Sequence, residues 1–292
     1  MIDALGQFLQ VVELGSVSAA ARRVHLSQPA LSAAIVRVEQ YFGAQLLVRT
    51  RRGVEPTAAG EVAVAHVRSL LASLGDAQRA VAEVVGLKAG EVRIGAGATA
   101  CTYVLPRFLA KFRERAPGVR LRLREATTEE LLGDLESGGL DLAVLASEVG
   151  VTMPGEPWCD DEVLLVAAPG GARDVFVTFP PGASTRGLLD KHFAGAEVAM
   201  ELSSIASVKG HVRAGIGMAL VSRVAVERDL RQGAMVRVRD PRVPIVRRFW
   251  LSHRGLARLS PAALALRELL LAQPPQLRAA TRGAKAKSRS RL

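Results

Sequence analysis

The stretch that decides the fold of the N-terminal region reads AAARRVHLSQPALS and spans residues 19–32. Ser18 is expected to cap a short alanine-rich helix over residues 19–26, and Ser27 is expected to cap the helix that follows. Pro29 falls in the first turn of this second helix, where a missing N–H breaks no hydrogen bond. Two short helices joined by a brief turn predict a helix-turn-helix.

The second helix of such a motif enters a DNA major groove about 12 Å wide, so its outer residues must be small or able to hydrogen-bond. Gln28 and Ser32 are candidates to read base edges, and Arg37 is a candidate to hold a phosphate. A basic segment at residues 48–54 ends in glycine and valine and predicts a hairpin wing against the DNA. The predicted DNA-contacting residues are Ser18, Arg22, Ser27, Gln28, Pro29, Ala30, Ser32, Ala33, Val36, Arg37, Arg49, Arg51 and Arg52.

The same string resembles the helix-turn-helix of LysR-type transcriptional regulators. Further residues fit that family's pattern in order, namely Ile35, Glu39, Gly43, Leu46, Arg49, Gly53, Thr57 and Gly60. Val38, Leu47 and Pro56 depart from it mildly. The resemblance implies a sequence-specific DNA-binding regulator controlled by a small-molecule effector, without a cofactor. Periodicity alone would also permit a plain three-helix bundle with arginines on its surface.

Bulk composition agrees with a polyanionic partner, since the 292 residues carry a formal net charge of +11. That charge alone does not choose between nucleic acid and an anionic membrane surface. Two cysteines, Cys101 and Cys159, form neither a disulfide framework nor a zinc motif, which favours a reducing cytosol. Without a secretory segment or an apolar run of roughly 20 residues, we expect a cytoplasmic protein with no membrane partner.

A long helix capped by Thr57 is expected to run to about residue 87. Its apolar residues alternate steps of three and four, which favours pairing with a second chain, although packing on its own domain is the alternative. The family resemblance agrees with a homodimer or homotetramer, and a symmetric dimer implies a roughly palindromic site on double-stranded DNA. RNA polymerase is a further possible partner. The predicted dimerisation residues are Ala63, Val67, Leu70, Leu74, Ala77, Val81 and Val84.

Strands and helices alternate beyond residue 90, which predicts a parallel sheet covered on both faces. A second lobe is expected to start near residue 160, and a strand at residues 247–252 returns to the first. Two α/β lobes joined in this way resemble the periplasmic-binding-protein-like (type 2) effector domain of LysR-type regulators. The predicted class is therefore α + α/β, with a winged helix-turn-helix, a linker helix and, as the resemblance implies, this two-lobed effector domain. The predicted domains are residues 1–60, 57–87 and 91–273, with lobe one at about 91–159 and 250–273, lobe two at about 160–249, and a basic disordered tail at 274–292.

Hydroxyl-bearing residues follow several predicted strands and open helices, where free N–H groups attract anions. We expect a small carboxylate or other anion to bind between the lobes, the alternative being that these residues only cap helices. Cys101 lies in this cluster as either a redox-sensitive thiol or, more simply, an inert apolar filler. The predicted effector-binding residues are Thr99, Ala100, Cys101, Thr102, Thr127, Thr128, Ser147, Ser203 and Ser204.

Two other classes of protein fit this sequence less well than a regulator does. An enzyme would need a catalytic motif, and the sequence contains no P-loop, GxSxG, HExxH or Cys/His cluster, so neither catalytic nor metal-binding residues are predicted. A secreted solute-binding protein would share the two-lobed fold, but an N-terminal DNA reader argues against it.

Overall fold

The computed structural model describes residues 1–51, 53–84, 90–148, 152–275 and residue 277, with only the backbone at residues 82–84. Three helices and a hairpin form the N-terminal unit, in which Phe8 and Leu31 are fully buried. These elements are α1 Ile2–Leu14, α2 Val17–Arg23, α3 Gln28–Phe42, β1 Leu47–Thr50 and β2 Gly53–Pro56, with β1 and β2 antiparallel.

Capping defines where α2 and α3 begin. The Ala30 N–H donates to Ser27 Oγ over 3.3 Å, which confirms the predicted cap of α3. The cap predicted for α2 is wrong, because this helix begins earlier and the Ala19 N–H donates to Ser16 Oγ. Ser18 therefore lies inside the first turn of α2, where its hydroxyl is free to make another contact.

The linker helix is α4, Ala58–Val84, and Thr57 caps it by accepting a hydrogen bond from the Gly60 N–H over 3.0 Å. Ala63 and Val67 pack in the core of the N-terminal unit, at 6% and 2% exposure. They therefore cannot belong to an exposed dimer seam, because the chain's own helices already cover them. Leu70, Ala77 and Val81 are exposed and Leu74 is half-buried, while the Val84 side chain lies outside the described part.

Lobe one is built on three parallel strands in the order β4-β3-β5, which confirms the predicted alternation of strands and helices. Thr127 and Glu130 form a complete capping box at the start of α6. A π-helical turn, Ala100–Val104, leads from β3 into α5. The elements are β3 Glu91–Ala96, α5 Leu105–Arg115, β4 Arg120–Glu125, α6 Thr128–Glu136 and β5 Leu142–Ser147.

Two long antiparallel strands, β6 Gly155–Ala167 and β11 Ile245–Ser252, run continuously from one lobe into the other. The sheet order is β10-β6-β11-β5-β3-β4, with β9 also paired to β6. The lobe boundaries drawn at residues 159/160 and 249/250 therefore cut through both strands. A change of lobe without a break in a strand leaves no turn residue in the sequence to mark it.

Lobe two adds a parallel pair of strands, β7 and β8, and three short helices. Two of these helices, α7 and α9, and the strand β10 went unpredicted, because neither helix begins with a side-chain cap and β10 has only two residues. The elements are β7 Val175–Thr178, α7 Ser184–His192, β8 Glu197–Glu201, α8 Ile205–Arg213, β9 Ala219–Ser222, α9 Arg223–Arg231 and β10 Val236–Arg237.

The chain returns to lobe one through a 3₁₀ turn, Leu256–Arg258, and α10, Pro261–Ala272, which Ser260 caps. Leu277 is still part of the fold, since it is 8% exposed in the lobe-one core and bridges to Asp161. The tail boundary predicted at residue 274 is therefore too early, and residues 278–292 lie outside the described part. No helix among the described residues is long and apolar enough to cross a membrane.

Two glycines in α4 should respond oppositely to alanine. A Cβ at Gly60 would lie 2.1 Å from the Leu46 carbonyl oxygen, whereas at Gly75 it would meet only the flexible end of Arg79 at 3.4 Å. We expect Gly60→Ala to lower the unfolding free energy by about 2 kcal/mol or more. Gly75→Ala, the matched control, should raise it by up to about 1 kcal/mol, because alanine favours helix. Urea unfolding measures both, and equal effects would show that α4 does not pack as described.

Candidate functional sites: a helix-turn-helix surface and an interlobe cleft

The N-terminal end of α3 presents its predicted residues to solvent. Gln28, Ala33 and Val36 are exposed and Ser32 is half-buried, while Leu31 and Ala34 on the opposite face are in the core. The Ser18 hydroxyl donates to Gln28 Oε1 over 3.0 Å, so α2 orients the side-chain amide that is predicted to read a base edge. Ser27, Pro29, Ala30 and Arg22 are also exposed beside it.

The hairpin supplies cations next to α3. Arg49 and Arg51 are exposed on it and Arg37 is exposed on α3, while Arg52 lies outside the described residues. Among the residues the structure describes, none of these three arginines has an ion-pair partner, so each can meet a phosphate. Glu39 fixes the hairpin against α3 by accepting hydrogen bonds from the Leu46 and Leu47 N–H groups, at 2.8 and 3.1 Å.

A cavity of about 250 Å³ lies where the carboxyl ends of β3, β4 and β5 face lobe two. Of the predicted effector residues, Thr99, Thr127, Thr128 and Ser203 line it. The other five do not. Ser147 lines an adjoining cavity, Ala100 and Cys101 point into the lobe-one core, Thr102 is exposed, and the Ser204 hydroxyl caps α8.

Arg247 is the residue that sequence reasoning missed. It lines the cleft at only 3% exposure, and its Nε donates to Asp161 Oδ2 over 2.9 Å. Its other nitrogens donate to hydroxyls from both lobes: Thr99 in lobe one at 3.4 Å, and Ser184 and Thr185 in lobe two at 2.9 and 3.1 Å.

The alternation of buried and exposed residues in β11 could have indicated from the sequence that Arg247 is buried. In β11, Ile245, Phe249 and Leu251 alternate with more exposed residues, and Arg247 occupies an inward position of that alternation. An arginine on the buried face of a strand needs a buried acid or a ligand. Here the acid is Asp161, fully buried, which also accepts a hydrogen bond from Ser222.

Charge in the cleft is mixed. Asp161 neutralises the charge of Arg247, and Glu125 and Glu130 line the lobe-one side of the cleft. The backbone N–H and hydroxyl of Thr127 donate to the Glu130 carboxylate and lower its pKa, so Glu130 stays ionised in its cap. On the lobe-two side, α7 begins without a side-chain cap, which leaves its first N–H groups available.

Family models match both parts of the chain. Residues 2–61 match the bacterial regulatory helix-turn-helix protein of the lysR family, and residues 86–275 match the LysR substrate binding domain. The chain belongs to the LysR family of transcriptional regulators. It is 32% identical over 266 residues to the HTH-type transcriptional regulator CbbR of Rhodospirillum rubrum, covering 86% of this chain and 89% of that protein.

Two other proteins are similar to this chain, one in sequence and one in fold. Identity to the nitrogen assimilation regulatory protein nac of Klebsiella aerogenes is 31% over 285 residues, covering 91% of this chain and 93% of that one. The crystal structure of full-length CbnR complexed with its target DNA shares the fold, with a TM-score of 0.60, 19% identity, and coverage of 93% and 99%. The predicted fold class and the function of a DNA-binding regulator with an effector domain are confirmed.

The two thiols of this LysR-type regulator are suppressed as nucleophiles. Burial, reinforced by the charge of Glu125, raises the pKa of Cys101 to about 12, and the protonated Sγ–H donates to the Ala96 carbonyl. Burial, together with Asp161 and Asp160, raises the pKa of Cys159 to about 12 as well. Both remain protonated at neutral pH, which supports the role of Cys101 as packing rather than as a redox sensor.

Thiol reactivity should follow from these shifts. A pKa of about 12 instead of 9.0 makes the thiolate fraction at pH 8 about a thousandfold smaller. We expect Ellman's reagent to modify the native regulator at least roughly a hundredfold more slowly than the urea-unfolded chain, which is the control. Rapid modification of either thiol in the native protein, with a change in DNA binding after peroxide treatment, would contradict the packing role.

Proposed function

We propose that this regulator reads its operator with the N-terminal end of α3 and the hairpin wing, and that a small anionic effector bound at Arg247 switches it. The observation that carries the effector half is the position of Arg247. It is a buried cation in the cleft that hydrogen-bonds hydroxyls of both lobes at once. A ligand that replaces any of these hydroxyls is held by the same side chain that joins the lobes.

The DNA half rests on the exposed face of α3. Gln28 can pair with an adenine edge, and the small or apolar Ala33 and Val36 suit a thymine methyl group. We expect Arg37, Arg49 and Arg51, which have no ion-pair partner among the described residues, to contact the phosphates that flank the groove. A regulator that works on the chromosome belongs in the cytoplasm, so we place the protein there.

Changes on this surface should separate base readout from phosphate binding. Gln28→Ala should weaken binding to the regulator's own upstream DNA by about 1–3 kcal/mol and leave non-specific binding nearly unchanged. Arg51→Ala should weaken both and reduce the salt slope by about one. Gln40→Ala, exposed at the far end of α3, is the matched control. Titrations across a salt series measure all three, and Gln28→Ala behaving like Gln40→Ala would refute the assigned face.

An anion fits the cleft for geometric reasons. A guanidinium has five N–H donors, and the two terminal nitrogens of Arg247 donate to side-chain hydroxyls. An oxygen of an incoming ligand can replace any of these hydroxyls as the acceptor. The uncapped start of α7, at Ser184 and Thr185, adds backbone donors on the same side. Glu125 and Glu130 lie on the opposite wall, so the effector's negative group should face Arg247 and not lobe one.

Conservative substitutions test this placement. A thermal-shift panel of small carboxylates, amino acids and sugar phosphates should yield ligands whose affinity Arg247→Lys lowers about 10–100-fold, because hydrogen bonds to a charged group contribute about 1.5–3 kcal/mol. Arg248→Lys is the matched control, since Arg248 is exposed on the other side of β11 and pairs with Asp160. Calorimetry would also compare Thr99→Val and Thr128→Val. Unchanged affinity in all three cleft variants would rule out the site.

For assembly we propose that the exposed part of α4, including Leu70, Ala77 and Val81, pairs with a second copy in a dimer or tetramer. Leu70 and Val81 are 50% and 63% exposed, which is unusual for large apolar side chains on one helix. A symmetric dimer would then meet a roughly palindromic site. Contact with RNA polymerase stays a prediction.

A further inference from the structure

The second half of α4 is fastened to lobe one by buried charges. Asp76 of α4 pairs with Arg254, which follows β11, and with Arg79 one turn further along α4. Arg79 also lies 3.8 Å from Asp141, which precedes β5, and Asp141 pairs with Arg93 at 2.7 Å. The side chains of Asp76, Asp141 and Arg254 are 12%, 7% and 7% exposed, so this is no loose surface pairing.

Close backbone packing accompanies the charges. Gly138 has a φ of +74°, and a Cβ there would lie 2.4 Å from the Ala72 Cβ of α4. The Gly138 carbonyl accepts a hydrogen bond from Arg93 over 2.7 Å, which links this contact to the ion pairs. We call this set the α4 junction, and it comprises Ala72, Asp76, Arg79, Arg93, Gly138, Asp141 and Arg254.

The strands that form the cleft end at this junction. Val144 and Ala146 of β5 line the cleft, and Asp141 stands just before that strand. Arg247 and Phe249 of β11 line it too, and Arg254 stands two residues beyond that strand's end. The two strands are hydrogen-bonded partners from Ser147↔Arg248 to Ala143↔Ser252. These two strands therefore connect the residues that line the cleft with the side chains that hold α4.

We propose that the α4 junction is a latch through which the cleft controls the DNA-reading unit. The regulatory part rests on the proposed function, that the cleft holds the effector. The first half of α4 is locked to the DNA-reading unit by Ala63 and Val67, so turning the second half reorients that unit as a body. Buried ion pairs demand exact partners, and Arg254 Nη1 is buried without an acceptor among the described residues.

Two variants break the latch by different means, each with a matched control. Asp76→Asn removes the shared charge, and Asp240→Asn removes the charge of an exposed Asp–Arg pair on lobe two. Gly138→Ala forces Ala72 away, while Gly170→Ala carries the same backbone strain, at a φ of +72°, with nothing within 4 Å. If Asp76→Asn does not fold, Arg254→Lys replaces it as the test variant, because it keeps the positive charge but loses the two-pronged guanidinium that pairs with Asp76.

Hydrogen exchange of the full-length protein without ligand tests the latch. We expect Asp76→Asn and Gly138→Ala to speed exchange over residues 70–81 at least tenfold, with residues 58–67 and lobe two unchanged. The controls should match the wild type. If residues 70–81 exchange at the same rate in both latch variants as in the wild type, the proposal is overturned.

DNA affinity tests transmission. Binding to the regulator's own upstream DNA should change at least fivefold in both latch variants and less than twofold in both controls. Faster exchange with unchanged DNA affinity would overturn the regulatory role. The cleft proposal fails separately, if Arg247→Lys leaves ligand affinity intact, because neither latch measurement uses a ligand.

Discussion

The buried pair of Arg247 and Asp161 is the interaction on which the two-lobed domain depends. It forms between β11 and β6, the two strands that pass from one lobe to the other. Both residues are almost inaccessible, at 3% and 0% exposure, so each charge needs the other. Arg247 also donates hydrogen bonds to the hydroxyls of Thr99 in lobe one and Ser184 in lobe two. The Arg247–Asp161 pair therefore lies where the two lobes face one another.

In the proposed effector site, binding of a ligand and a change in the contact between the lobes would occur together, because Arg247 hydrogen-bonds hydroxyls of both lobes. A ligand oxygen that displaces a hydroxyl from Arg247 changes the contact that holds one lobe to the other. The neutralising Asp161 keeps the arginine oriented and limits its net attraction for anions. An effector at the proposed site would therefore be recognised by the placement of hydrogen-bond donors, including the uncapped N-terminus of α7, more than by an excess of positive charge.

The helix α4 is shared between two units, and different residues along it contact each unit. Near its start Ala63 and Val67 belong to the core of the DNA-reading unit, whereas Ala72 and Asp76 belong to the junction with lobe one. The exposed apolar residues lie between and beyond these two contacts. One helix therefore combines three surfaces, which a single apolar heptad pattern could not separate.

Local residues determined much of this protein. The caps at Ser27, Thr57 and Ser260, the capping box at Thr127 and the family string of the helix-turn-helix depend on neighbours a few residues away, so they were readable from the sequence. The partner of Arg247, 86 residues distant, was not, and neither was the inward direction of Ala63 and Val67. An apolar residue on a helix reads the same whether its own domain or another chain covers it. Only the tertiary structure decides whether such a residue is buried by its own domain or left exposed for another chain. The reason is that burial depends on contacts between segments that are far apart in the sequence.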